Sequence, residues 1–365
     1  MLKLGFIGGS INSIAGYPHF IASRMDRKFE VVAGAFSTND DINRETANAW
    51  QVDRIYDDWL DLIESEKDKV DAVVVLVPTP LHSKVILELL KNNIPIICEK
   101  TMVCSKDEVQ EVSKLYNPKE HFLAVTNNYS GYPMLRVLKQ EIKNGTLGNI
   151  LHIRLQMPQE SFLRPPKSVK YPQKWRLNDG FIPTISLDLG VHLHHLAYFL
   201  LDDEPDEIMA EFNSFSKYTV IDDMNFLLKY KNGMSGTFWL SKSALGYRNG
   251  LSIEIFGDKS SAKWVQEIPE KLEISFSDGQ KNIIDRGSNI EIDNPVYNRM
   301  TPGHPAGFIE AFANLYNDIA DDLESFLNGA QVESPYVFGF DHASNGINLL
   351  HSASQSNLEK KWVKI

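Results

Sequence analysis

A chain of 365 residues with a net charge of −11 has no basic stripe to offer a nucleic acid or an anionic membrane, so a small-molecule partner is expected. Its 43% hydrophobic and 23% charged residues exclude a disordered chain, and its length suits two domains. Cys98 and Cys104 are its only cysteines, too few for a disulfide framework, and they point to a reducing, cytoplasmic compartment. Met1 leads at once into a strand-like run, so no secretory leader is expected, and the longest apolar run, Val70 to Pro80, is too short to span a bilayer.

Lys3-Leu4-Gly5-Phe6-Ile7 reads as a strand ending in Gly8-Gly9-Ser10-Ile11, and a helical pattern runs from Gly16 to Met25. Strand, glycine turn and helix make a phosphate cradle, in which small residues let the backbone approach a pyrophosphate at a helix N-terminus. The spacing departs from GxGxxG, with Ser10 in the place of the second glycine. Strands at Phe29 to Phe36, Val70 to Val77, Ile94 to Cys98 and Phe122 to Thr126 then alternate with helices at Thr38 to Trp50, Trp59 to Glu66, Pro80 to Asn92 and Ser105 to Tyr116. Near-continuous apolar strands between helices specify a doubly wound parallel sheet of Rossmann type over residues 1–126.

Ligands of such sheets lie outside the carboxyl ends of the strands. That places Pro78-Thr79-Pro80-Leu81-His82 and Glu99-Lys100-Thr101, which each follow a buried strand, at the cofactor crevice. The second strand closes with Ser37-Thr38-Asn39 and no acid before Asp40, so the choice between NAD(H) and NADP(H) stays open and only modest discrimination is expected.

From Tyr132 the texture changes, and residues 127–365 read as an α+β domain with a large, mostly antiparallel sheet. A helix is expected at Pro133 to Asn144 and a strand at Ile150 to Met157, followed by a long proline-rich loop from Phe162 to Pro183 that carries Trp175 and Arg176. Thr184 to Leu200 then reads as a helix with Ile185, Leu189, Leu193, Leu196 and Leu200 as one apolar stripe, and Asp188, His192 and His195 on a neighbouring face. A carboxylate and two imidazoles there suit proton transfer or a metal; the plainer reading is a core helix with satisfied histidines. Six strands with period-two patterning follow between Glu207 and Ser277, and a last long helix spans Gly307 to Asn328. Phe226, Leu228, Phe238 and Leu240 alternate as if they formed an uncovered apolar sheet face, which predicts self-association.

Gly8-x-Ser10 with Gly16-Tyr17-Pro18-His19, Thr79-Pro80-Leu81-His82, Glu99-Lys100-Thr101, Gly145-Thr146-Leu147-Gly148, Trp175-Arg176, Asp188-Leu189-Gly190-Val191-His192 and Gly303-His304-Pro305 occur in this order along the chain. In these motifs the sequence resembles the Gfo/Idh/MocA family, the glucose–fructose oxidoreductase and inositol dehydrogenase group of NAD(P)-dependent sugar and polyol oxidoreductases. The resemblance covers nearly the whole chain. It implies hydride transfer between a nicotinamide cofactor and a hydroxyl or keto carbon, with the motif lysine at Lys100, its aspartate at Asp188 and its catalytic histidine at His192. It also implies cofactor contacts from Gly8, Gly9, Ser10, Ile11, Ser37, Thr38, Pro78, Thr79, Pro80, His82, Glu99 and Lys100. Tyr129, Trp175, Arg176 and His195 join Asp188 and His192 as the expected substrate wall, and the assembly is expected to be a homodimer or homotetramer. Thr101 stands where the family motif has proline.

In this scheme His192 is the base, Asp188 orients it or bonds a second substrate hydroxyl, and Lys100 stabilises alkoxide charge. Two rivals are a metal-dependent lyase or hydrolase using Asp188, His192 and His195, and a glycosidase that retains its NAD and oxidises transiently.

Overall fold

The computed structural model describes residues 1–164, 172–288, 295–330 and 334–365. In chain order, β1 (Leu2–Gly8), α1 (Gly16–Met25), β2 (Phe29–Ala35), α2 (Asp40–Trp50), β3 (Arg54–Ile55), α3 (Trp59–Glu66), β4 (Ala72–Leu76), α4 (His82–Lys91), β5 (Ile96–Cys98), α5 (Lys106–Ser113) and β6 (Leu123–Val125) alternate. Side-chain oxygens of Asn39, Asp58 and Ser105 accept from backbone N–H groups at the starts of α2, α3 and α5, which sets where those helices begin. All six strands are parallel, in the order β3-β2-β1-β4-β5-β6. Central strands of such a sheet must be apolar on both faces, and Ala-Val-Val-Val-Leu of β4 is buried throughout. The strand order reverses beside β1 and β4, so the crevice at their carboxyl ends is the ligand position of this fold.

The chain next forms α6 (Pro133–Lys143) and β7 (Ile150–Pro158), then a π-helical turn over Ser186–Gly190 that runs directly into α7 (Val191–Leu201). There follow β8 (Glu207–Asn213), β9 (Asp223–Lys229), β10 (Ser235–Ser241), β11 (Ser252–Gly257), β12 (Ser260–Val265), β13 (Leu272–Phe276) and β14 (Lys281–Ile284). Helices α8 (Phe308–Leu327) and α9 (Phe340–Glu359) and the two-residue β15 (Val363–Lys364) complete the chain. The nine-stranded sheet runs β14-β13-β12-β11-β7-β10-β9-β8-β15, antiparallel except where β7 and β10 pair in parallel.

Two compact units result: Met1–Gly131 with Phe308–Ser344, and Tyr132–Gly307 with Asn345–Ile365. A single division after residue 126 therefore misplaces α8, whose Phe312, Leu315, Tyr316, Ile319 and Leu323 belong to one buried cluster with Phe6, Phe20 and Phe29 of the parallel unit.

The expected uncovered apolar sheet face also needs correction. Phe226, Leu228, Phe238 and Leu240 are each at most 2% exposed within the single chain. Alternation shows only that one face is apolar, and α6, α7 and the part of α9 from Asn345 onward lie in the same unit to cover it. The opposite face is mixed, with Arg154, Glu254 and Lys263 in an ion-pair row and Leu227 and Phe256 exposed. Among the described residues no helix is long and apolar enough to cross a membrane.

Candidate active site

Within the parallel unit, the glycine turn has the shape of a phosphate cradle. Gly8 and Gly9 have φ of +83° and +76°, and a Cβ on Gly16 would lie 1.9 Å from the carbonyl oxygen of Gly9, so α1 starts hard against the turn. The first turn of α1 carries no acidic residue and no side-chain cap, which leaves its positive end to an anion. Ser10 and Ile11 complete the turn, the latter donating from its backbone N–H to Thr46 Oγ1 at 3.2 Å. Beyond β2, Ser37 Oγ accepts from Asn39 N–H and Thr38 is exposed. These features fit a dinucleotide: a backbone cradle for the pyrophosphate and neutral groups where the ribose would lie.

The turns after β4 and β5 are tied together by a residue that was expected to touch the cofactor. His82 is 1% exposed, with Nδ1 2.7 Å from Thr101 O and Nε2 2.8 Å from Val77 O. Burial lowers its pKa against the pull of those two carbonyls. Its ring is thus committed to the backbone, and it holds the Pro78-Thr79-Pro80 turn against the Lys100–Thr101 peptide, which is cis.

Glu99 is held as firmly. Its Oε2 accepts from Thr126 Oγ1 at 2.6 Å and from His19 Nε2 at 3.1 Å, and His19 Nδ1 lies 2.7 Å from Tyr316 Oη. Burial opposes ionisation of Glu99, but the bond and charge of His19, the charge of Lys100 and the bond from Thr126 prevail and hold its pKa at about 2. An ionised Glu99 can only accept, so His19 Nε2 carries a proton. Tyr129 is buried against Phe308, in edge contact at 6.1 Å, and Asn128 beside it keeps a buried Nδ2 with no hydrogen-bond partner among the described residues. An orphaned donor just past the carboxyl end of β6 is a signal that sequence reading had no means to see.

In the second unit the π turn over Ser186–Gly190 carries Asp188, and His192 and His195 follow on α7, 4% and 1% exposed. The expected uniform 3.6-residue helix is therefore wound wider at its start, a feature frequent at functional sites. Asp188 Oδ2 pairs with Arg176 and lies 2.5 Å from Lys242 Nζ. Arg176 stacks 4.5 Å over the ring of Trp175, so Trp175, Arg176 and Asp188 do come together as expected. Lys242 was missed, because a lysine one residue past a strand looks in sequence like any solvated one. His195 stacks on Phe199 at 6.0 Å, a packing contact. With two cations on one oxygen, Asp188 is ill suited to ligate a metal, which weighs against the metal-site rival. Of the long loop, residues 165–171 lie outside the described part.

Known proteins resemble this chain over most of its length. Residues 2–127 match the oxidoreductase family with an NAD-binding Rossmann fold, and residues 135–263 match the GFO/IDH/MocA C-terminal domain. The uncharacterized oxidoreductase YfiI of Bacillus subtilis is 28% identical over 339 residues, which cover 89% of this chain and 86% of that one. Myo-inositol 2-dehydrogenase of Thermotoga maritima is 24% identical over 373 residues, covering 100% and 98%. The crystal structure of an inositol dehydrogenase homolog complexed with NAD+ from Azotobacter vinelandii superposes with a TM-score of 0.91 at 25% identity, covering 100% of this chain and 97% of that one. Cradle, strand order and the two-unit architecture agree with these matches, and the chain belongs to the Gfo/Idh/MocA family as an NAD-dependent oxidoreductase.

Proposed function

We propose that this enzyme transfers a hydride between NAD and a ring hydroxyl of a cyclic polyol, sugar or sugar derivative. The observation that carries the reading is the Asp188–His192 turn: a buried imidazole one turn beyond a carboxylate that two cations keep ionised. The name of the Thermotoga relative, a myo-inositol dehydrogenase, supports the substrate class. Oxidation takes a hydride from the carbinol carbon and a proton from its oxygen. Bound NAD+ supplies the hydride acceptor. His192 takes the proton, because imidazole titrates in the working range, and the Lys100 ammonium steadies negative charge on the oxygen as the proton leaves. Trp175 and Arg176 form part of the substrate wall.

The cofactor cradle comprises Gly8, Gly9, Ser10 and Ile11, with Ser37 and Thr38 at the ribose and Pro78, Thr79, Pro80 and Glu99 along the crevice. Without an acid at the end of β2 the enzyme discriminates modestly, and Asp40 and Asp41 in the first turn of α2 tilt it toward NADH, by less than about a hundredfold over NADPH. The enzyme works in the cytoplasm as a homodimer or homotetramer that pairs through the mixed outer face of its nine-stranded sheet, where Leu227 and Phe256 are exposed. Incubation with NAD+ and a panel of inositols, anhydrosugars and hexoses tests the reading. NADH should appear at 340 nm with at least one ring polyol, and release of an aglycone without net NADH would assign the NAD-retaining glycosidase chemistry instead.

A further inference from the structure

Lys242 is a cation the family motifs do not include, and it is built into the fold. Its side chain is 3% exposed. Its backbone is pinned on both sides, with its N–H donating to Asp222 O at 2.8 Å and its carbonyl accepting from Phe162 N–H at 2.9 Å. The end of the interior strand β10 therefore fixes the root of the lysine, and its Nζ reaches Asp188 Oδ2 at 2.5 Å, the oxygen that Arg176 also holds. A buried ammonium is tolerated only with a counter-charge, and a carboxylate between two cations stays ionised and accepts no proton.

We infer that Lys242 is a positioning residue: together with Arg176 it fixes the carboxylate of Asp188, so that Asp188 acts as the counter-ion of a charged trio and the base next to it is His192. This rests on the reading of Asp188 and His192 given above. It makes a prediction that Asp188 as an independent catalytic group does not. Asp188→Asn alone takes a counter-charge from Lys242, whose side chain is 3% exposed, and from the half-buried Arg176, whereas Asp188→Asn with Lys242→Met returns the trio to its original net charge.

The test uses the full chain as wild type, Lys242→Met, Lys242→Arg, Asp188→Asn and the Asp188→Asn/Lys242→Met double variant, with unfolding midpoint, NADH affinity, kcat and KM measured on each. Asp188→Asn should lower the midpoint, and the double variant should regain most of that loss instead of adding a second one. Lys242→Met should lower kcat on the order of 10- to 100-fold with NADH affinity unchanged, since misplacement of a supporting group costs about that much. Lys242→Arg should restore most of kcat. Additive losses of midpoint, or wild-type kcat in folded Lys242→Met, would overturn the inference. The midpoint cycle needs no substrate, so a wild-type enzyme that turns over no polyol sinks the functional reading while the cycle still decides the trio.

Discussion

Nε2 of His19 on α1 lies 3.1 Å from Oε2 of Glu99, the residue immediately before Lys100. The helix that heads the phosphate cradle is thereby bonded to the carboxyl end of β5. His19→Leu removes the larger of the two bonds that hold Glu99 ionised, and leaves its carboxylate with the bond from Thr126 and the charge of Lys100. Because the folded pKa of Glu99 is depressed to about 2, its contribution is present above about pH 4.5 and is lost as pH falls toward 2. The variant should therefore be less stable at pH 7, by about 1–3 kcal/mol, and approach wild type near pH 2. Urea unfolding at pH 7 and at acid pH checks this; an equal deficit at both would assign the loss to packing.

Gly16→Ala brings a methyl group to a position 1.9 Å from Gly9 O and 2.7 Å from Ser10 O. Both neighbours are backbone, so the turn itself must move. NADH affinity should fall at least about tenfold, roughly 1.4 kcal/mol, as measured by fluorescence titration. Unchanged affinity in this variant would place the pyrophosphate elsewhere.

His192→Asn keeps some hydrogen bonding but loses a proton acceptor that works near neutral pH. The expected loss in kcat is on the order of 10²- to 10⁴-fold, with NADH affinity and unfolding midpoint close to wild type. A well-folded variant with near-normal turnover would remove His192 as the base.

Asp322 on α8 is buried with Oδ2 lacking a hydrogen-bond partner among the described residues. Burial, with the charges of Asp318 and Asp321, raises its pKa to about 7 against a bond from the Ser334 backbone. The folded state then binds a proton that the unfolded chain releases near its ordinary pKa of 3.8, so stability from this group declines as pH rises from about 4 to about 7. Asp322→Asn should raise the melting temperature at pH 8 and leave it nearly unchanged at pH 5. Scanning calorimetry at the two pH values decides it.

Five strands of the parallel sheet were legible as largely apolar runs, while the two-residue β3, Arg54–Ile55, is too short and too polar to read; α1 and α3 fall on the residues expected. Helix α9 was not legible. Its buried side includes Ser344, Ser352, Ser354 and Ser356 beside Ile347, Leu350 and Ala353, so the contrast between faces that marks an amphipathic helix is weak. Ser344 and Ser354 donate back to Phe340 O and Leu350 O of their own helix, whereas Ser352 Oγ donates to Lys364 O at 3.4 Å and Ser356 Oγ accepts from Ala210 N–H on β8 at 3.0 Å. At the site, the spacing of Asp188 and His192 was readable, but the π turn that carries Asp188 has no sequence period of its own. The Lys242–Asp188 pair joins residues 54 apart, and no local pattern announces such a contact.

Helix α8 completes the first unit's core from far along the chain, so synthesis supplies it late. Residues 1–131 leave the ribosome without Phe312, Leu315, Ile319 and Leu323, which complete their buried cluster. At translation rates of 5–20 residues per second the missing helix follows after roughly ten to forty seconds, during which strands β7 to β14 of the second sheet emerge. The nascent cofactor-binding half must wait with an apolar face open, so a chaperone holding the N-terminal half has a physical task here, and a fragment ending at Gly131 should aggregate unless Phe308–Ser344 is supplied in trans.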